Sequence, residues 1–194
     1  DVNGRALVGG LAGQNRNGGT ISHSNATGPV NGTEKIGGLV GSNAESINNS
    51  YATSTVTGDS QTGGLIGQNQ GTVNASYATG NINASNDVGG LVGSNRGDVN
   101  NASATGSITG SHRVGGLIGS NSGGNVHTSH ATGPVEATTE STDSTRIGGL
   151  VGESTGGHIE RVTASGTVTA GDATHVGGLI GYNSGQRLVA TVIY

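Results

Sequence analysis

The feature that most constrains this chain is a short phrase written seven times. Gly-Gly-Leu begins at Gly9, Gly37, Gly63, Gly89, Gly115, Gly148 and Gly177, at spacings of 28, 26, 26, 26, 33 and 29 residues. A second marker, Ala followed by Thr or Ser, stands at Ala26, Ala52, Ala78, Ala104, Ala131 and Ala164, at spacings of 26, 26, 26, 27 and 33. Two markers with one period define a 26-residue unit with tolerated insertions, the signature of a stacked array. The largest insertion falls within residues 136–145 (EATTESTDST), as expected of a surface loop on such an array. A disordered linker has no reason to hold apolar residues in register.

Four apolar columns keep the same period. The first holds Val8, Ile36, Thr62, Val88, Val114, Ile147 and Val176. The second holds Leu11, Leu39, Leu65, Leu91, Leu117, Leu150 and Leu179, each followed by Ala, Val or Ile. The third runs Ile21, Ile47, Val73, Val99, Val126, Ile159 and Leu188, and the fourth Val30, Val56, Ile82, Ile108, Val135 and Val168. Paired glycines, β-branched residues and the lack of a sustained 3.6 period exclude helical repeats. Short apolar runs between Asn/Gly turns read as strands. The fold expected is an all-β solenoid of about seven coils. Each coil carries three short strands: the V/I-G-G-L-V/I-G segment, the lone Ile or Val after the Asn-rich turn, and a run from Ser50 to Val56 in coil two. Ser50, Ala52, Ser54 and Val56 then face inward. Coils stacked at the usual strand spacing make a rod roughly 33 Å long.

Composition agrees with a thin core. Forty of the 194 residues are Gly, hydrophobic residues make up 30%, and Cys, Met, Trp and Phe are absent. Small aliphatic side chains do not fill the ~10 Å between the sheets of an ordinary sandwich. Disulfide scaffolds and thiolate metal sites are excluded without Cys, and collagen is excluded by two prolines and no Gly-X-Y period. A net charge of −4, with no block of like charge, argues against a nucleic-acid partner or a polybasic membrane patch. No apolar stretch is long enough to span a bilayer, so no membrane insertion by this segment is expected. The opening DVNGRALVGG has no charged n-region leading into an apolar run, so no signal peptide is expected within it. An exported protein would then be the mature form or an excised segment.

Two further columns are structural signals. The Gly pairs require either positive φ or very close backbone approach. Asn15, Asn43, Asn69, Asn95, Asn121 and Asn183 recur at a fixed offset, with Ser154 replacing Asn in coil six. Stacked at a corner, these amides are expected to form a hydrogen-bonded ladder, with the left-handed conformation open to each Asn.

The segments IGGLVGSN (36–43), VGGLVGSN (88–95) and VGGLIGSN (114–121) resemble the GLUG motif, Gly-Leu-bulky-Gly. That repeat occurs in large bacterial and archaeal surface proteins, including haemagglutinin-like adhesins and the non-catalytic part of some IgA-cleaving metallopeptidases. The resemblance covers almost the whole chain in seven copies, although coil one has Ala12 at the bulky position. It implies an extracellular β-solenoid-like array, secreted or on a cell surface, and carries over no catalytic residue.

Enzyme signatures are absent from the residues themselves. There is no His-Glu-x-x-His, no phosphate loop, and no Gly-Gly-x-Gly-x-Asp repeat for calcium. His127 and His130, with His112 or His158, read as surface histidines on different columns rather than metal ligands. Asp87 beside Arg113 reads as an exposed cross-coil ion pair of little value. No cofactor and no enzymatic activity are expected. The outward positions Thr27, Thr53, Thr79, Thr105, Thr132 and Ser165 form a regular hydroxyl column, the candidate contact face. Ice binding through that face is the main alternative function, weakened because Asn25, Tyr51, Tyr77 and His130 on one side and Pro29 and Pro134 on the other interrupt the array. A carbohydrate-binding or carbohydrate-active β-helix is a lesser one. Six N-glycosylation sequons, at Asn25, Asn31, Asn48, Asn74, Asn83 and Asn101, are close to chance for this composition.

Solenoid ends expose unpaired strands and need caps. Residues 188–194 (LVATVIY) are the most apolar stretch and either cap the last coil or pair with the first coil of another molecule. The self-assembly strands would be Leu7, Val8 and Leu11 at one end and Leu188, Val189, Val192, Ile193 and Tyr194 at the other. The chain starts just before a Gly-Gly-Leu strand and stops part-way through a repeat, which suits the second option. The expected function is a non-enzymatic extracellular structural or adhesive segment of a cell-surface protein, or a filament subunit. Its partners would be a second copy, head to tail, or a host or cell-surface ligand.

Overall fold

A computed structural model describes residues 1–138, 145–185 and 187–189. Among them there is no helix, and hence none long and apolar enough to cross a membrane. The strands form five parallel sheets, four of seven strands and one of six, and neighbours in every sheet are equivalent strands of successive coils. In chain order the sheets are A to E, represented in coil one by Val2–Asn3, Ala6–Gly9, Ala12–Asn15, Thr20–Ser22 and Asn25–Ala26. Pairing places like on like: Val56 on Val30 and Ile82, Gly63 on Gly37 and Gly89, Ala52 on Ala26 and Ala78. The chain is a β-solenoid of about seven turns.

Coils one to six each have five strands, and coil seven four among the described residues, where the pattern of apolar residues suggests three. The V/I-G-G-L-V/I-G segment is two strands, because the chain bends at Gly-Leu: Glu34–Gly37 ends sheet B and Val40–Asn43 begins sheet C. The bend stays within the ladder, since Leu39 and Val40 both donate from their backbone N–H to the Leu65 carbonyl, at 2.9 and 3.0 Å. It also explains why Leu39 and Val40, adjacent in sequence, are both fully buried in the same cluster. The run from Ser50 to Val56 likewise breaks into Tyr51–Ala52 in sheet E and Val56–Thr57 in sheet A. Ser50, Ala52, Ser54 and Val56 are all buried.

Backbone packing at the glycines organises the cross-section. A Cβ on Gly37 would lie 2.1 Å from the Val40 carbonyl and 2.8 Å from the Gly67 nitrogen, and one on Gly67 would lie 2.5 Å from the Ile36 nitrogen. Sheets B and C therefore touch backbone to backbone, each B strand against the C strand of the following coil. A Cβ on Gly38, at the bend, would meet the Gly64 carbonyl at 2.1 Å and the Ala52 Cβ at 2.9 Å. The wall folds inward as a wedge whose tip rests on the Ala column of sheet E. Two aliphatic cores result, one between A and B (Val30, Ile36, Val56, Val88) and one lined by C, D and E (Leu39, Ile47, Ala52, Leu65).

Close approach is thus the role of the Gly pairs. Positive φ falls instead on two columns of mixed residues, Leu7, Lys35, Gln61, Asp87 and Arg113 in sheet B and His23, Asn49, Ala75, Asn101, Thr128 and Arg161 at the turn before sheet E. Such conformations cost on the order of 1–3 kcal/mol each and persist only where the surrounding stack over-determines them.

The apolar column that runs from Val8 to Val176 has one departure. Thr62 is fully buried among aliphatic equivalents, and its hydroxyl has no hydrogen-bond partner. Thr62→Val, which matches Val88 and Val114, should therefore raise the free energy of unfolding by about 1 kcal/mol in urea titration. Gly64→Ala should cost about 3 kcal/mol or more, because its Cβ would lie 2.2 Å from the Gly90 carbonyl. Gly18→Ala, with nothing within 4 Å of its Cβ but φ at +81°, should cost only the left-handed penalty of about 1–2 kcal/mol.

Candidate contact face and the ladders behind it

The corner asparagines stack at the start of the turn between sheets C and D. Asn15 Nδ2 donates to Asn43 Oδ1 at 2.8 Å, Asn43 to Asn69 at 2.8 Å, Asn69 to Asn95 at 2.9 Å and Asn95 to Asn121 at 2.8 Å. The same Nδ2 groups reach a carbonyl of their own turn, Glu45 for Asn43, Gly71 for Asn69 and Gly97 for Asn95. In coil six the Ser154 hydroxyl takes the place of the amide, accepting from Asn121 at 3.2 Å. Asn183 sits in register with Ser154 at the exposed end. None of these asparagines adopts positive φ, so hydrogen bonding alone explains the residue type.

Two further ladders run beside this one. Asn74 Nδ2 donates to Asn48 Oδ1 and Asn100 Nδ2 to Asn74 Oδ1, both at 3.1 Å, on sheet D. Next to them, the Ser50 hydroxyl donates to the Asn48 carbonyl and the Ser76 hydroxyl to the Asn74 carbonyl, both at 2.8 Å. Each hydroxyl also accepts from the backbone N–H of the coil before it, Ser24 to Ser50 and Ser50 to Ser76. Sequons at Asn48 and Asn74 are thereby absorbed into the fold, with Ser50 and Ser76 buried. A Ser two residues before four of the six Ala markers, at Ser24, Ser50, Ser76 and Ser129, is the pattern that signals this column; Ala102 and Val162 stand there in the other two coils.

Asp87 and Arg113 form more than an exposed pair. Asp87 is buried, and its carboxylate accepts from Arg113 Nε. Glu153 lies 3.6 Å from Arg113 Nε and 2.8 Å from Arg146, whose guanidinium stands 4.7 Å over the Tyr182 ring. The chain Asp87–Arg113–Glu153–Arg146–Tyr182 links coils four to seven along the mouth of the B–C seam. The hydrogen bond to Asp87, above all, pushes the Arg113 guanidinium above its ordinary range despite burial. A raised cation contributes stability at every pH below its ordinary value, so this link is fully present at neutral pH. His127 and His158 lie on sheet D, His130 on E and His112 on B, and among the described residues no three His, Asp or Glu groups converge on a metal site.

The outer surface of sheet E carries Thr27, Thr53, Thr79, Thr105, Thr132 and Ser165, one per coil and all exposed. Strand pairing places them in one row, since their inward neighbours Ala26, Ala52, Ala78, Ala104, Ala131 and Ala164 pair in register. Beside them stand Asn25, Tyr51, Tyr77, Ser103, His130 and Thr163, and beyond them Pro29, Thr55, Asn81, Ser107, Pro134 and Thr167. At one end Leu7 is half-buried, Val8 is buried and Leu11 is 50% exposed. At the other, Arg187–Val189 adds the last strand to sheet D, with Leu188 beside Ile159. Leu188 and Val189 thus pair in register with Ile159 and Glu160 of the preceding coil. Val192, Ile193 and Tyr194 lie outside the described residues, as do 139–144 of the inserted segment.

Parallel coils in register, held by side-chain ladders and turning one regular face outward, define a β-solenoid repeat protein. The family model for the GLUG motif matches residues 4–31, 32–57, 84–109, 110–136 and 143–169. The chain belongs to the GLUG-motif family. Coil three, the coil with Thr62, falls between matched segments. Neither a curated protein nor a solved structure matches the chain.

The ladder and the outward column should respond differently to truncation. Asn69→Ala breaks two buried hydrogen bonds and should cost about 2–4 kcal/mol in chemical denaturation. Thr79→Ala, on the exposed row, should stay within about 0.5 kcal/mol of the parent.

Proposed function

We propose that this chain is a non-enzymatic structural and adhesive array, displayed outside the cell as a segment of a surface protein. One observation carries the reading: the exposed face of sheet E presents one Thr or Ser hydroxyl per coil, from Thr27 to Ser165, while the apolar columns are consumed in stacking. A wall of this kind offers many weak contacts at a fixed interval, and simultaneous engagement raises avidity without any single deep site. Among the described residues the strand edges at coils one and seven, with Leu11, Val176, Leu188 and Val189 exposed, have no further strand against them, which favours pairing with another coil. That coil is either a further repeat or a second copy head to tail.

Beads coated with the whole chain should be retained by cells or host-surface glycoproteins. Replacing Thr53, Thr79, Thr105 and Thr132 together with Glu should reduce retention at least tenfold without unfolding the protein. Equal retention by that variant overturns the assignment of this face.

The unbroken row of six exposed hydroxyls also favours a second reading, an ice-binding solenoid. Thermal hysteresis and faceted ice growth in the purified protein would establish it. Their absence at millimolar concentration removes it.

A further inference from the structure

The outward column of sheet E beside the threonines changes size abruptly. Asn25, Tyr51, Tyr77, Ser103, His130 and Thr163 occupy it in successive coils, in Cα register. The Tyr51 and Tyr77 rings stack with centroids 4.9 Å apart and planes within 2°. That separation matches the strand spacing of about 4.7–4.9 Å, so the coil rise itself sets the stack. Tyr51 lies between Asn25 and Tyr77 and is half-buried. Tyr77 has only Ser103 in the next coil and is 40% exposed. One coil further, His130 is exposed. Ser103 therefore leaves an opening two coil spacings wide, about 9–10 Å, between two ring-bearing positions.

We propose that this opening is a binding slot for one aromatic side chain of a partner polypeptide, inserted edge-on over Ser103 between Tyr77 and His130. A planar ring midway sits about 4.8 Å from each neighbouring coil, within the ~4.5–7 Å range of favourable aromatic pairs. It repeats the geometry that Tyr51 and Tyr77 already adopt. The exposed hydroxyls of Thr79, Thr105 and Thr132 run alongside, two residues further along each strand. They suit the polar tip of a Tyr or Trp, or the backbone that carries it. The slot is unique in this column because coil four is the one place where a small residue is flanked by rings on both sides. The inference rests on reading this wall as the contact face. Probe binding is measured apart from adhesion, so an array that adheres but binds no probe overturns the slot alone.

The test titrates the whole 15N-labelled chain with N-acetyltryptophanamide and, in parallel, with methyl β-glucoside. Saturable shifts confined to Tyr77, Ser103, Thr105 and His130 are expected with the indole probe, half-saturating on the order of 1–10 mM for a single stacked ring. Ser103→Tyr should weaken this at least tenfold by filling the slot and should raise the thermal midpoint by about 1–3 °C by extending the stack. Tyr77→Ala, a truncation of an exposed side chain, should also lose the probe. The slot is overturned by absent shifts, by shifts unchanged in either variant, by a stronger response to the glucoside, or by a lowered midpoint in Ser103→Tyr.

Discussion

The structure depends on how closely two stretches of backbone approach each other. Sheets B and C meet with no side chain between them, because Gly37 and Gly67 face one another across a coil boundary. That contact draws the wall inward until Gly38 rests on Ala52 and divides the interior in two. Each lobe is then too narrow for anything larger than Leu or Ile. The missing Phe, Trp and Met follow from the same wedge that requires the glycines.

With the interior so thin, hydrophobic burial per coil is small, and polar ladders do much of the work of specifying register. Asn43, Asn69 and Asn95 spend both amide hydrogens, one on the next coil and one on their own turn, while fully buried. A slip by one residue would orphan every one of them at once. A slip by a whole coil is nearly degenerate for Leu on Leu. The chain Asp87–Arg113–Glu153–Arg146–Tyr182 occurs once and breaks that degeneracy. Rigid register in turn makes the exterior a ruler, on which threonines, asparagines and tyrosines repeat at the coil rise.

Much of this was legible in the sequence because stacking converts position in the repeat directly into position in space. The period, the aliphatic columns and the asparagine column could be read from spacing alone. What spacing could not show is where the chain bends within a repeat. Leu39 and Val40 look like neighbours on one strand, and only the backbone contact at Gly37 and Gly38 turns them into the same core. The left-handed columns were invisible for a related reason: Leu7, Lys35, Gln61, Asp87 and Arg113 share a conformation but no chemistry, since the fold imposes the φ. Asp87 read as exposed because a charge among strands ordinarily is, whereas the seam buries it against Arg113. The serine ladder carried a signal, a hydroxyl two residues before four of the six Ala markers, but a Ser in an Asn-rich turn does not distinguish itself from its surroundings.

The central claim is that equivalent residues of successive coils lie one strand spacing apart along a single axis. A chain without Cys accepts paired spin labels cleanly, and the exposed row supplies the positions. Pulsed electron–electron distances from Thr27→Cys to Thr105→Cys, Thr132→Cys and Ser165→Cys should rise in equal steps, with backbone separations of about 14, 19 and 24 Å. Distances that fail to increase by one strand spacing per coil, or that scatter as broad distributions, would contradict the stack on which everything else rests.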